Sequence, residues 1–176
     1  MSSQTQTTPE RAHDLAVLSA LLHDQLAVLQ KLKDLAHAQR SVLADRKPDE
    51  IWDNLSETEA CWQTLHSLET KRVAAAARLA RDLGLHSDDT GLGVLASALS
   101  GKAAERLTQL HAALLDTTQD LVRLNAQNGE LVQGLLLLTG HQLKFYTALG
   151  QGFQSYNASG QKTGVPAPIV RSRRSA

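Results

Sequence analysis

Residues 107–149 read LTQLHAALLDTTQDLVRLNAQNGELVQGLLLLTGHQLKFYTAL. Leu107, Leu110, Leu114, Thr117, Leu121, Leu124, Asn128, Leu131, Leu135, Leu138, Gln142, Phe145 and Leu149 follow one another at alternating spacings of three and four. That spacing puts one side chain per turn on a single face of an α-helix, whereas a strand would need a period of two. A seam this long must lie against other helices, so the stretch decides for an all-α bundle. Its middle works against its own secondary structure. Asn is a mediocre helix former, and Gly costs roughly 1 kcal/mol relative to Ala in a helix interior. Asn128 falls on the seam, where an amide lowers stability while fixing register or partner number. The same Asn beside a small residue also suits a groove that lets another backbone approach and offers it amide partners. Both readings stand on the sequence alone. Gly129, Gly134 and Gly140 weaken the helix locally, which suits a segment that repacks against a partner.

Upstream, Thr8, Pro9 and Glu10 form a helix start: a capping hydroxyl, a proline at the first helical position and an acid near the positive end of the dipole. Leu15, Leu18, Leu22, Gln25, Leu29, Leu32, Ala36, Gln39 and Leu43 continue from there as a second heptad seam. Leu21, Leu26, Val28 and Leu35 widen it, so this helix should touch two neighbours. Pro48 in DRKPDE (45–50) breaks the helix, because proline lacks an N–H and drives the residue before it out of the α region. A second helix is expected from about Asp49 to Leu83, its buried side marked by Ile51, Leu55, Trp62, Leu65, Ala76, Leu79 and Leu83, with Gly84 as its C-terminal cap. HSDDTG (86–91) reads as a loop, and residues 92–100 as a short helix across the bundle end. The last helix starts near Lys102. The expected architecture is therefore three long antiparallel helices plus one short one over residues 1–149. A flexible, Gly- and Ser-rich, basic tail is expected over 150–176, where the apolar period stops.

Composition narrows the function. Aromatic residues make up only 3% of the 176, so the core is Leu and Ala, without the aromatic-lined pocket common in enzymes. A formal net charge of zero gives no global attraction to nucleic acid. Cys61 is the single cysteine, which rules out an intramolecular disulfide and a cysteine-based zinc site. MSSQTQTTPER lacks the basic start and apolar core of a signal peptide, and the longest apolar run, Leu135–Leu138, is far short of the roughly 20 residues that span a bilayer. A cytoplasmic protein without stable membrane insertion is expected. The seven histidines offer one ExxH (Glu10 to His13) and no HExxH, short of the ligand set a di-metal bundle needs. Phosphate loop and nucleophile elbow are absent as well. Neither a catalytic residue, nor a metal site, nor a cofactor is expected. Trp52 and Trp62 read as core or seam-edge anchors.

Taken in order, LADRKPDEIWDNLSETEACWQTLHSLETKR (43–72), RLARDLGL (78–85), LNAQNGELVQG (124–134) and SYNASGQ (155–161) carry a resemblance. From about residue 10 to 162 the chain resembles the FlgN family, cytoplasmic export chaperones of the flagellar type III secretion system. The specific part is N-x-x-N-G, here Asn125, Asn128 and Gly129, followed by Y-x-x-x-G, here Tyr156 and Gly160. The resemblance implies a chaperone that binds C-terminal segments of hook-filament junction proteins, of the FlgK and FlgL types, and prevents their premature assembly. It also implies delivery to the cytoplasmic domain of the export gate. The substrate-binding residues would then be Asn125, Asn128, Gly129, Leu131, Leu135, Leu138 and Phe145, and the gate-docking residues Tyr156, Asn157 and Gly160. A homodimer is compatible with the open seam. The alternative reading of the same residues is a non-catalytic coiled-coil structural or adaptor protein whose seam closes on itself or on an identical copy.

Overall fold

The computed structural model describes residues 9–86, 90–152, 154–156 and 162–164. Pro9 opens α1 (Pro9–Asp45) with Glu10 in its first turn, and the expected cap at Thr8 lies outside the described residues. Lys47 is extended, at φ −98° and ψ 98°, as a residue before proline must be, and Pro48 begins α2 (Pro48–Asp82). Between them Arg46 takes φ 55°. Its N–H bonds to the Leu43 carbonyl at 3.3 Å and the Lys47 N–H to the Val42 carbonyl at 3.5 Å. This arrangement normally places Gly at the left-handed residue, so Arg46 holds it at a steric cost of roughly 1–2 kcal/mol. The end of α2 uses the expected glycine: Gly84 has φ 73°, and the Leu85 N–H reaches the Ala80 carbonyl at 2.9 Å. α3 (Leu92–Ala98) is the short helix, and α4 (Gly101–Gly152) is the longest element at 52 residues.

The chain forms two compact units, Met1–Gly129 and Glu130–Ala176, with the boundary inside α4. In the first unit α1 and α2 run antiparallel. Gln25 meets Glu69, and Asn54 donates to the Leu35 carbonyl at 3.0 Å. The part of α4 in this unit runs parallel to α1, as an up-down-up chain requires: Lys33 pairs with Asp120, and Asn128 with Ala36 and Gln39. The core consists of Leu18, Leu22, Leu29, Leu32 and Ala36 from α1, with Leu107, Leu110, Leu114, Leu121 and Leu124 from α4. α2 contributes Cys61, Ala75, Ala76, Leu79 and Ala80, and α3 contributes Leu95 and Ala96. The small side chains of α2 let its backbone sit close to its neighbours. An 18-residue window of α1 has mean hydropathy 1.2, long and apolar enough to cross a membrane by composition alone. Leu18, Leu22 and Leu32 of that helix lie at the centre of the core, so packing accounts for its apolarity.

One expectation is corrected. The buried side of the first half of α2 runs through Asn54 and Cys61, and not through Leu55 and Trp62, which are 39% and 42% exposed. Trp52 is 70% exposed. A shift of one residue rotates a helix face by about 100°, and the alanine stripe at Ala75, Ala76 and Ala80 sets that rotation by packing at the core. The narrow centre of the helix triplet takes a thiol and an amide there and leaves both indoles at the rim.

The second unit holds the rest of α4 and a short antiparallel pair, β1 (Gln154–Tyr156) with β2 (Lys162–Gly164), in which Tyr156 stands opposite Lys162. α4 continues to Gly152, past the point at residue 149 where the apolar period ends. Among the described residues the fold is helical apart from this strand pair, with three long helices and a short one, as the spacing predicts.

Candidate functional site

The three residues of the N-x-x-N-G signature share one turn of α4 and have different surroundings. Asn128 is 4% exposed. Its Nδ2 donates to the Ala36 carbonyl at 2.7 Å and to Gln39 Oε1 at 2.9 Å. An amide that satisfies two acceptors on a neighbouring helix fixes axial register, because a slip of one turn would leave it buried and unpaired. Arg40, one residue after Gln39, reaches Gln127 Oε1 at 3.3 Å from the same face.

Asn125 is exposed and lines a groove of about 410 Å³ within the first unit, together with Leu29, Trp62, Leu65, Leu115 and Val122. Gly129 has no atom within 4 Å of where a Cβ would stand, and the same holds for Gly134 and Gly140. Nothing in the described chain therefore requires glycine at these positions by close approach, and each weakens the helix.

Polar groups border the groove. Gln25, only 5% exposed, donates to Glu69 Oε2 at 2.9 Å, and Arg72 holds the same carboxylate with two bonds, at 2.7 Å and 2.6 Å. The Arg72 hydrogen bonds and then the Gln25 amide draw the Glu69 carboxyl down to about 2, against the opposing effect of burial. Because the folded value lies below the ordinary carboxylate range, the ionised cluster stabilises the fold at neutral pH. That contribution is lost as pH falls through about 4 towards 2. The Glu69 side chain is 48% exposed, so solvent screening cuts the contribution to about 1 kcal/mol. Glu69→Gln is accordingly expected to lower unfolding free energy by about 1 kcal/mol at pH 7 and by much less near pH 2.5. Urea unfolding of both proteins at the two pH values measures this, and a difference that grows on acidification would refute it.

Among the described residues of the second unit, no helix covers the seam positions that follow Asn128. Leu131 and Leu135 are half-buried, whereas Leu138 and Phe145 are 44% and 62% exposed. Leu136, Leu137, Leu143 and Tyr146 are each about two-thirds exposed. Phe145 and Tyr146 meet edge to face with ring centroids 6.0 Å apart. Large apolar side chains left this exposed on neighbouring turns of one helix form a surface suited to contact with another polypeptide. The sequence reading missed Leu115, Val122, Leu136 and Leu143. Their signal was present: with Gly129 they recur every seven residues, beside the main seam.

Among the expected docking residues, Tyr156 lies on β1, and Asn157 and Gly160 lie outside the described residues. Among the described residues no three His, Cys, Asp or Glu side chains gather as metal ligands. No curated protein and no solved structure matches the chain. A family model, described as FlgN protein, matches residues 14–164, spanning α1, the groove, the signature and the strand pair alike. With the match covering most of its length, the chain belongs to the FlgN family of flagellar export chaperones.

Proposed function

We infer that the uncovered length of α4 in the second unit binds the C-terminal segments of hook-filament junction proteins, keeps them from assembling, and hands them to the export gate. The observation that carries this reading is the exposed Leu138 and Phe145 on the seam begun by Leu131 and Leu135. A segment that packs only on polymerisation has an amphipathic face with nothing to cover it, and a second amphipathic helix is its natural cover. Asn125 and Gly129, exposed at the start of this stretch, offer an amide and a place for close approach. Asn128 serves the same site indirectly, by setting where α4 stands against α1. Tyr156, Asn157 and Gly160 are assigned to gate docking, Tyr supplying a large, stiff contact surface.

Titration of junction-protein C-terminal peptides tests the reading. Leu138→Asp with Phe145→Asp is expected to weaken binding at least tenfold, because two apolar contacts worth over 1 kcal/mol each are lost, while the melting temperature stays unchanged. Tyr156→Ala should leave peptide affinity intact and reduce binding to the cytoplasmic domain of the gate. Undiminished peptide binding by the double variant would overturn the assignment of the seam, and undiminished gate binding that of Tyr156.

A further inference from the structure

The groove of the first unit has a floor and two walls. Gln25 and Leu29 of α1, both buried, form the floor, while Trp62 and Leu65 of α2 face Leu115 and Val122 of α4 across it. Each wall continues as an exposed face along its own helix. On α2, Trp52, Leu55, Glu59, Trp62, His66 and Glu69 follow one another at alternating spacings of three and four, and all are exposed. On α4, Leu115, Thr118, Val122 and Asn125 do the same. Two seam-like faces on either side of a buried floor have the shape that receives one more helix of a bundle. The lining of α4 runs from His111 to Asn125, which sets the length of that helix at about four turns, roughly 21 Å.

Charge decides what kind of helix fits. From Pro48 to Thr70, α2 carries Asp49, Glu50, Asp53, Glu57, Glu59 and Glu69 and neither Lys nor Arg. Glu50 is paired with Lys47, Glu57 with Lys31 and Glu69 with Arg72. Among the described residues no cation pairs with Asp49, Asp53 or Glu59, and Glu59 accepts a bond from the neutral Gln63 amide at 3.1 Å. Glu59 stands one turn from Trp62 and two from Trp52, on the same side of the helix. A carboxylate beside exposed indoles attracts Lys or Arg twice over, by charge and by cation–π contact. The opposite wall, at Leu115, Thr118, Val122 and Asn125, has no formal charge. A helix seated here therefore needs apolar side chains toward α4 and the floor, and basic ones on the flank that meets α2.

We propose that the groove between α2 and α4 docks a basic amphipathic helix of another protein, with its apolar side against Leu115 and Val122 and its Lys or Arg side chains against Glu59 and the indoles of Trp52 and Trp62. The apolar walls hold the helix, as in other helix-in-groove complexes. The acidic run of α2 steers its approach and turns away acidic helices, an effect that salt weakens. Leu131, Leu135, Leu138 and Phe145, the seam assigned to clients, take no part in this contact. The proposal does not depend on which client that seam binds.

Two synthetic, tryptophan-free helical peptides of about four turns test it, identical in their leucine seam and carrying either Lys or Glu along one flank. Titration into the full-length Trp52→Phe protein is followed by the emission of Trp62. The Lys peptide is expected to bind, more weakly as salt rises, and the Glu peptide to bind about tenfold or more less tightly. Leu115→Gln with Val122→Gln removes apolar surface without adding charge, and should weaken the Lys peptide by a similar factor. Glu59→Lys should abolish or invert the preference between the two peptides. These positions are exposed, and helical circular dichroism verifies that each variant is folded. Equal binding of the two peptides overturns the proposal, as does a Lys peptide that fails to bind at millimolar concentration or binds the Gln variant undiminished. Displacement of the Lys peptide by a junction-protein C-terminal peptide would assign the groove to the client instead, and a loss of self-association in the Gln variant, read by sedimentation, would assign it to a second copy; either result overturns the proposal. The Leu138→Asp, Phe145→Asp variant should bind the Lys peptide as the wild type does, which keeps failure of the client seam distinguishable from failure of the groove.

Discussion

Leu79→Ala is expected to lower the unfolding free energy of the first unit by roughly 2–5 kcal/mol, much of the total stability of an ordinary domain. Leu79 is fully buried and sits among the small residues of α2, Ala75, Ala76 and Ala80, where the helices already approach closely. A backbone held at that separation by its alanines cannot collapse into the space left by the missing isobutyl group. The cost therefore includes the cavity as well as the lost transfer energy. Leu137→Ala removes the same atoms from a side chain that is 66% exposed, and should change stability by no more than about 0.5 kcal/mol. Guanidinium denaturation of the two variants makes the comparison. Equal effects would mean that Leu79 is not in a packed core, or that the second unit has a cover the described chain does not supply.

Much of the fold could be read from the sequence because the determinants are local and periodic. Pro48 and Gly84 end helices through backbone chemistry that depends on no distant residue. The seams of α1 and α4 repeat for so many turns that Leu18, Leu22, Leu32, Leu107 and Leu121 could hardly face elsewhere. Arg46 was not legible as a left-handed residue, because nothing in its chemistry asks for φ 55°; the proline that follows Lys47 and the carbonyls of the last turn of α1 impose it. The setting of α2 was misread at Leu55 and Trp62 for a related reason. Apolar residues lie on adjoining stripes there, and packing at the core, with the alanine stripe of the same helix and the Asn54 bond to α1, decides that Asn54 and Cys61 turn inward.

The candidate site divides in the same way. That Asn125, Asn128 and Gly129 are special could be read from their cost to the helix. Which of them faces inward could not, since it depends on where Ala36 and Gln39 stand. The apolar character of residues 131–146 was plain in the sequence. Its exposure was not, because a Leu-rich seam looks the same whether a second helix lies on it or not.

Asn128→Asp isolates the amide that ties α4 to α1. The substitution keeps shape and volume and exchanges the donating NH₂ for an oxygen, so it tests hydrogen bonding without opening a cavity. In the folded protein that oxygen would face the Ala36 carbonyl at the position where 2.7 Å now separates donor from acceptor. Gln39 can turn its own amide to donate, but the Ala36 carbonyl is fixed in helical backbone and cannot. Burying a carboxylate against an acceptor, at a site only 4% exposed, is expected to cost about 3 kcal/mol at pH 7. Burial and the facing carbonyl both raise the folded-state pKa of the new carboxyl above its unfolded value. The folded variant therefore binds a proton more readily than the unfolded one. Its deficit relative to wild type should shrink as pH falls through that raised value, since a protonated carboxyl can donate again to Ala36. Asn128→Leu removes the polar group altogether, and is expected to leave stability equal or higher by about 1 kcal/mol while relaxing the register that the amide imposes. Denaturant unfolding of both variants at pH 7 and pH 4 gives four numbers. If Asn128→Asp proves as stable as wild type at pH 7, the bond to Ala36 does not hold α4 in place, and the signature Asn is free to face a partner instead.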